Sequence, residues 1–253
     1  MLYYISLVSC IYAARFENAI IVLDSEKDRY LSLIDSAAYY FELLLKGSFN
    51  KNDENKIVSV DVVGIDVEQL NHWYVHFVKQ NFIVETTQQI RKGLAPLPIK
   101  SGGLIEYRWD HKPSWRPFAH ASWFSIIHAF FVLRRVHRLM KQSGIKGILD
   151  AIRVVASNQT AKHQPTEKEI ARLAAAIDAA TQLYPTKTFC LAWAATFVLC
   201  GLKKGWPCSL AIGVQTNPFY AHAWAQIGNR VIHDDPIIAQ VLAVVLKEPG
   251  MNE

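Results

Sequence analysis

The sequence predicts an α+β fold built as two units. Short apolar runs separated by turn residues occupy 2–34 and 208–234, a pattern typical of antiparallel strands. Apolar residues at helical spacing, as in 67–79, mark helices in both parts of the chain. The charge balance reverses: residues 1–85 hold 7 Lys/Arg against 12 Asp/Glu, and residues 86–253 hold 20 against 10. An acidic front and a basic back therefore indicate two units with different partners.

Composition narrows the class of protein. Of the 253 residues, 51% are hydrophobic and 19% are charged, which is ordinary for a globular protein, so disorder is not expected. The net charge of +5 could suit a nucleic acid, but no zinc-finger spacing or basic helix accompanies it, and no nucleic-acid partner is expected. The four cysteines form no Cys-x-x-Cys pair, and no positive residue precedes the short apolar start of the chain. These features favour a reduced, cytoplasmic setting.

The first unit is predicted over residues 1–85 and begins with strands. A polar turn at 24–28 joins two apolar runs into a hairpin. Two amphipathic helices follow, and the polar stretch 48–55 between them is predicted to be a loop. The second helix is predicted over 67–79, and its apolar side carries Leu70, Tyr74, Phe77 and Val78. Residues 82–84 can form a closing strand or wing.

Residues 86–117 are rich in proline and glycine and show little periodicity, so a linker or a surface-draped segment is expected. The most apolar stretch, 118–133, is shorter than a membrane span and contains two histidines, which favours a buried helix over insertion. Because four basic residues follow at 134–141, a membrane-surface helix is the rival interpretation, although membrane contact is not expected. A further helix is predicted over 166–183, where Thr166 and Glu169 form a capping box.

Residues 184–235 carry the candidate chemistry. Cys190 lies in the first turn of a predicted helix, where unpaired N–H groups and the helix dipole favour a thiolate. Three strands follow, of which the second carries His222 and the third ends at Asp234 and Asp235. A cysteine that opens a helix, with a histidine and an acid on neighbouring strands, is typical of papain-like and transglutaminase-like enzymes.

Cys190 is preferred as the nucleophile over the other cysteines. Cys200 lies near the end of the same helix, where the dipole raises the thiol pKa, and Cys208 lies inside an apolar strand. Among the nine histidines, His222 is preferred as the base because a row of alanines lies on the opposite face of its strand. That alternation predicts packing beneath the strand and an open site above it. His233 is the rival base and a possible neighbour of the site.

Two acids compete to orient His222. A two-residue turn at Gly228-Asn229 would place Asp235 directly opposite His222 and Asp234 on the other face. One bulged residue would reverse that arrangement, so the residues alone leave both acids open. The backbone N–H of Cys190 is expected to be one oxyanion donor. No metal constellation or phosphate-binding glycine loop is visible, and neither a metal, a cofactor nor ATP use is expected of this chain.

The C-terminal third resembles the leader peptidases of lasso peptide biosynthesis, which belong to the transglutaminase-like superfamily. The matching residues are Cys190-Leu191, Gly205-Trp206-Pro207, Ile212-Gly213-Val214, Ala221-His222-Ala223-Trp224 and Asp234-Asp235 before Pro236. The resemblance implies a papain/transglutaminase-like cysteine peptidase domain over 118–253. It also implies the catalytic residues Cys190, His222 and Asp234, because the family's histidine-to-aspartate spacing selects Asp234 and leaves Asp235 as the alternative.

Residues 1–85 resemble, more loosely, the winged-helix-like recognition element of enzymes that mature ribosomally made peptides. The closest match is Val22-Leu23-Asp24 through Arg29 to Leu33. The resemblance implies that a leader peptide adds as an extra strand in a cleft between the third strand and the last helix, which an exposed strand edge permits. The implied leader contacts are Tyr30, Leu31 and Leu33 on the strand and Leu70, Trp73 and Tyr74 on the helix, with core packing as the alternative for half of them.

The resemblance implies a cytoplasmic cysteine peptidase that binds and removes the leader of a lasso peptide precursor. It also implies a partner, a separate ATP-dependent lasso cyclase that receives the freed core. Two other functions stay open. One is a transglutaminase or peptide ligase that uses the same three residues, and the other is a non-catalytic chaperone of the precursor peptide.

Overall fold

A computed structural model of the protein describes residues 3–52, 56–62, 64–88, 92–95, 121–159 and 163–250. These residues form a mixed α and β structure, which confirms that part of the predicted fold class. The chain divides into two compact units, Met1–Leu97 and Pro98–Glu253. The assignment of roles to 1–85, 86–117 and 118–253 stays a prediction, and residues 89–91 and 96–117 of the predicted linker lie outside the described residues.

Two antiparallel sheets and two helices make up the described part of the first unit. In chain order they are β1 (Tyr3–Leu7), β2 (Ile11–Arg15), β3 (Ala19–Asp24), β4 (Arg29–Ile34), α1 (Asp35–Lys46), β5 (Ser48–Lys51), β6 (Ile57–Val60), α2 (Val67–Lys79) and β7 (Ile83–Thr86). One sheet has the order β6-β5-β1-β7, and the other has the order β2-β3-β4. The predicted hairpin is confirmed, because β3 and β4 pair from Ala19↔Ile34 to Asp24↔Arg29. In this sheet β4 is an edge strand.

One hydrophobic cluster joins the helices of this unit to its sheets. Phe41 of α1 and Phe77 of α2 meet edge to face with ring centroids 4.8 Å apart. Apolar strand residues such as Ile5 and Val22 belong to the same buried cluster. Burial of side chains of this size contributes about 1.5–3 kcal/mol each, so the cluster fixes both helices on the strands.

Two local predictions for this unit are wrong. The polar stretch 48–55 that was predicted as a loop contains β5. Phe49 is the one buried residue of β5, and a single buried apolar residue produces no visible alternation. Val78 of α2, expected on the apolar side, is exposed. The winged-helix character of the unit stays a prediction.

The described part of the second unit places helices against one antiparallel sheet. Its elements are α3 (Trp123–Ser157), α4 (Glu167–Leu183), α5 (Cys190–Lys203), β8 (Cys208–Gln215), β9 (Tyr220–Ile227), β10 (Arg230–Ile232), α6 (Ile238–Val241) and β11 (Ala243–Glu248). The sheet has the order β10-β9-β8-β11. Residues 192–202 of α5 are all buried, and the helix contacts α3, α4, β8 and β9. A helix that is apolar all round belongs in the core, so α5 is the central helix of this unit.

The first half of α3 differs from the buried helix that was predicted. Ile126 and Leu133 are buried, but Trp123 is 64% exposed and Phe124 is 84% exposed. Apolar residues occupy both sides of this segment, and hydropathy alone could not show which side would be covered. The helix also breaks at Gly144, whose φ of 56° and ψ of −147° are accessible to glycine.

The predicted capping box at the start of α4 is confirmed: the Thr166 side chain accepts from the Glu169 N–H, and the Glu169 side chain accepts from the Thr166 N–H. Across the residues that the structure describes, no helix combines the length and the apolar character needed to cross a membrane.

Candidate active site

Cys190 is the first residue of α5, as the sequence predicts. The preceding residue, Phe189, has extended backbone angles and makes no side-chain cap hydrogen bond. The backbone N–H groups of Leu191 and Ala223 act on the Cys190 sulfur and lower the pKa of its thiol. Because α5 is buried on all sides and packs on β9, the half-buried thiol is held beside that strand.

His222 lies on β9 directly opposite Gly213 of β8. Its ring is parallel to the two aromatic rings on the same strand face, with centroids 5.9 Å from Tyr220 and 6.2 Å from Trp224. Gly213 makes this arrangement possible, because a Cβ there would lie 2.7 Å from Trp224 Cη2. The strand is therefore built to hold the imidazole in one orientation.

The expectation of an open site above this face of β9 is wrong. His222 and Trp224 are both 2% exposed. Trp224 belongs to a hydrophobic cluster that includes Ile238 of α6 and Leu242, which follows it. These residues follow the acid segment in the chain and could not be assigned to either face from the strand pattern alone. The imidazole is thus buried, and the exposure of the site is at the thiol.

The structure places Asp234, and not Asp235, against His222. The two-residue turn brings Ile232 opposite Ala225, and β10 ends there. A continued strand would have put Asp235 opposite His222, but His233 adopts a left-handed φ of 59° and turns the chain. Asp234 Oδ2 then lies 2.5 Å from His222 Nε2. Asp235 is exposed, and its Oδ1 accepts the Ile237 N–H at 3.0 Å.

The histidine tautomer follows from these partners. With Nε2 facing the Asp234 carboxylate, the Nε2–H donates to Asp234, and Nδ1 is the nitrogen that can exchange a proton with the sulfur. The Tyr220 hydroxyl lies 3.2 Å from Nδ1. Tyr220 was not singled out from the sequence, although its alternation with His222 and Trp224 places all three on one strand face.

The electrostatics favour a thiolate–imidazolium pair. Burial alone would raise the pKa of the Cys190 thiol, but the hydrogen bond and charge of His222, with the two backbone N–H groups, lower it. Burial alone would lower the pKa of His222, but hydrogen bonds with Asp234 and Cys190 raise it to about 9. Each ion therefore stabilises the other, and the pair can exist between the two pKa values.

The other three cysteines have thiols whose pKa is raised. Burial raises the pKa of Cys200 to about 12 and that of Cys208 to about 12. Burial, with the nearby Glu26 and Asp24 carboxylates, raises the pKa of the Cys10 thiol. Of the four cysteines, all within the described residues, Cys190 has the one thiol whose pKa is lowered. Thiolate nucleophilicity depends on that pKa, and Cys190 is the chemically suited nucleophile.

The residues predicted to contact a leader peptide divide into two groups. Leu70 is 0% exposed and Tyr74 is 6% exposed, so these two pack in the core of the first unit, and their contact with a leader stays a prediction. The Tyr74 hydroxyl accepts from Lys51 Nζ and bonds to Glu85. The partly exposed members are Tyr30, Leu31 and Leu33 on β4 and Trp73 on α2, and their role stays a prediction.

A second cluster lies beside the candidate triad. Asp178 of α4, Trp193 of α5 and His233 are buried together. His233 was suspected as a neighbour of the site, but Asp178 was overlooked. Its signal was present in the sequence, because it is the one charged residue in the alanine-rich run Ala174 to Ala180. Among the described residues, no group of three or more His, Cys, Asp or Glu side chains could hold a metal ion.

Comparison with known proteins agrees with this geometry. The family model described as the transglutaminase-like superfamily matches residues 132–246, slightly less than half of the chain. A transglutaminase-like domain therefore lies there, and it contains Cys190, His222 and Asp234.

A second comparison concerns a shorter stretch. Over 36 residues the chain is 47% identical to the microcin J25-processing protein McjB of Escherichia coli, which covers 14% of this chain and 17% of that protein. No solved structure matches the chain.

Proposed function

We propose that this protein is a cysteine peptidase that removes the leader from a ribosomally made lasso peptide precursor. The observation that carries the proposal is the placement of Cys190, His222 and Asp234, with the thiol pKa lowered and the imidazole pKa raised. The transglutaminase-like domain supports cysteine-based acyl chemistry. The short match to a protein named for microcin J25 processing supports a peptide precursor as substrate.

The proposed reaction proceeds through an acyl-enzyme. The Cys190 thiolate attacks the carbonyl carbon at the leader–core junction, and backbone N–H groups at the start of α5 stabilise the oxyanion. Collapse of the tetrahedral intermediate breaks the C–N bond as the His222 imidazolium gives its proton to the leaving amine of the core. A water molecule then attacks the thioester while His222 takes its proton, and the leader carboxylate and the Cys190 thiolate are released.

Asp234 is proposed to act through His222. Its carboxylate accepts the Nε2–H, which directs Nδ1 toward the sulfur and stabilises the imidazolium. The 2.5 Å contact and the burial of both side chains make this interaction strong, because water cannot compete for it.

Leader recognition is proposed for the first unit. β4 is an edge strand, and its exposed backbone groups could pair with an added strand of the leader. Tyr30, Leu31 and Leu33 lie on that strand, and Trp73 lies partly exposed on α2. The freed core would then pass to a separate ATP-dependent lasso cyclase in the cytoplasm.

The test is incubation of the full chain with a precursor peptide and mass spectrometry of the products. Wild-type protein and Cys200→Ala are expected to release leader and core, whereas Cys190→Ala releases neither but still binds the precursor. Full cleavage by Cys190→Ala would refute the proposal. A product in which the leader carries an added amine in place of water would identify a transferase or ligase. Binding without any wild-type product would identify a chaperone.

A further inference from the structure

The residue before the proposed acid has an unusual backbone. His233 adopts a φ of 59°, which is uncommon for a residue other than glycine and costs about 1–2 kcal/mol. Its imidazole is also 4% exposed, although it follows an edge strand at the boundary of the sheet. The surrounding contacts must offset both the strain and the burial, which directs attention to what holds the ring.

Two residues from separate helices hold that ring. The His233 imidazole stacks on Trp193 with centroids 4.8 Å apart and planes 13° apart. Its Nε2 lies 3.2 Å from Asp178 Oδ2. Trp193 Nε1–H donates to the other carboxylate oxygen, Asp178 Oδ1, at 2.8 Å. We name these residues the Asp178–Trp193–His233 cluster, in which each member contacts the other two.

The cluster connects the elements that carry the proposed chemistry. Trp193 follows Cys190 by three residues, almost one turn of α5. His233 directly precedes Asp234, and its left-handed conformation is the feature that turns Asp234 toward His222. Asp178 comes from the middle of α4 and contacts both. The cluster therefore ties the nucleophile's helix to the acid's segment through buried side chains.

From this geometry we propose that His233 and Asp178 are positioning residues, which fix the left-handed turn so that the Asp234 carboxylate meets His222. This inference rests on the proposed function, since it assigns a role within the same triad. The His233 ring faces Asp178 and Trp193, so it is not placed to act as the rival base. His233 affects the chemistry by holding Asp234 in position.

Plain core packing explains the cluster less well. A buried carboxylate beside an imidazole costs desolvation, which apolar side chains of similar volume would avoid. The contact between Asp178 and His233 is better explained by its effect on the backbone turn that carries Asp234. A positional shift of about 1 Å at a reacting group can reduce turnover by about 10²-fold, so holding Asp234 in place has a measurable effect.

The experiment compares His233→Asn and Asp178→Asn with wild type in the full chain. Asparagine tolerates a left-handed φ, so His233→Asn removes the ring contacts with the least backbone penalty. His163→Asn is the matched control, because the His163 imidazole also lies near a carboxylate, 3.4 Å from Glu169. Its backbone N–H donates to the Gly205 carbonyl, beyond the end of α5 that is far from Cys190. Trp193→Phe is a milder variant, because it keeps an aromatic ring beside His233 and removes the Nε1–H that donates to Asp178.

Two readouts separate positioning from stability. The first is the rate of Cys190 alkylation by iodoacetamide across pH 5–10, followed by peptide mapping, which needs no peptide substrate. The second is the split between kcat and KM for leader removal. We expect the rise in the alkylation rate to move to higher pH in the cluster variants, because a less basic His222 stabilises the Cys190 thiolate less. We also expect kcat to fall about 10–100-fold with KM within about twofold. His163→Asn should match wild type in both.

The outcomes are distinguishable from failure of the proposed function. A shifted alkylation profile in folded variants would support the positioning role even if no leader were removed. Normal profiles and normal kcat in folded Asp178→Asn and Trp193→Phe would overturn it. A reduced amount of folded protein with an unshifted profile would also overturn it, because that result is what a merely structural role produces.

Discussion

Replacement of Asp234 by alanine should change the pH dependence of the enzyme in a direction that the structure fixes. Hydrogen bonds with Asp234 and Cys190 raise the His222 pKa to about 9, while burial opposes them. The ordinary histidine pKa is about 6.5, so the shift corresponds to about 3 kcal/mol in favour of the imidazolium. Without the carboxylate, burial dominates, and the His222 pKa should fall toward its ordinary value or below it.

The sign of the effect on activity follows from the ion pair. The thiolate and the imidazolium coexist above the Cys190 pKa and below the His222 pKa. A lower His222 pKa therefore moves the alkaline limb of the kcat/KM profile to lower pH. At pH 7.5, a fall in the histidine pKa from about 9 to about 6.5 reduces the imidazolium fraction about tenfold. Loss of the orienting acid of a triad costs on the order of 10⁴ in kcat when the tautomer and the orientation of the histidine are also lost. The loss of activity in Asp234→Ala at pH 7.5 should therefore lie between about tenfold and about 10⁴-fold.

The assay is kcat/KM for leader removal at intervals from pH 5 to pH 10, with Cys190 alkylation measured in parallel. Asp235→Ala is the matched control, because the Asp235 carboxylate accepts the Ile237 N–H and does not contact His222. It should cost about 1 kcal/mol of stability and leave activity within about threefold of wild type. An alkaline limb that stays near 9 in Asp234→Ala, or a larger loss in Asp235→Ala, would refute the reasoning.

Two further predictions concern packing and recognition. Gly213→Ala should lower the free energy of unfolding by about 1–3 kcal/mol, because the added Cβ would lie 2.7 Å from the Trp224 ring. Thermal unfolding measures the change, and Gly93→Ala, where nothing lies within 4 Å of the added Cβ, is the control. Trp73→Ala should weaken binding of a labelled leader about tenfold or more without changing the rate of Cys190 alkylation, since Trp73 lies in the first unit. Unchanged leader affinity would remove Trp73 from the recognition surface.

Periodicity and turn chemistry predicted much of the fold. α2 spans Val67–Lys79 as expected, because an amphipathic run with an Asp66 cap has few alternatives. The helix and three strands that follow Cys190 were also predictable from one apolar helix and a two-residue turn. β5 was missed because Phe49 is its one buried apolar residue. Its pairing with β1 supplies the information that the local sequence lacks.

The candidate site shows a sharper limit of sequence reasoning. The choice between Asp234 and Asp235 depends on where β10 stops pairing, and that point is fixed by the left-handed His233. No residue pattern marks a histidine for that conformation, because it is held by contacts with Asp178 and Trp193, far away in the chain. The histidine-to-aspartate spacing of the resembling family selects Asp234, and it can do so only if the same turn occurs in the members of that family.

The segment that carries the proposed chemistry is unusually local. Cys190 lies on α5, His222 lies on β9, and Asp234 follows two residues after the end of β10. The connections between α5, β8, β9 and β10 span residues 204–207, 216–219 and 228–229. Closing such short loops costs little conformational entropy, and contacts between neighbours in sequence form early in folding. The helix and its three-stranded meander can therefore assemble before α3 and β11 pack on them. A protein built this way acquires its reactive thiol environment as a folding unit, so native-state hydrogen exchange would place that environment among the last regions to open.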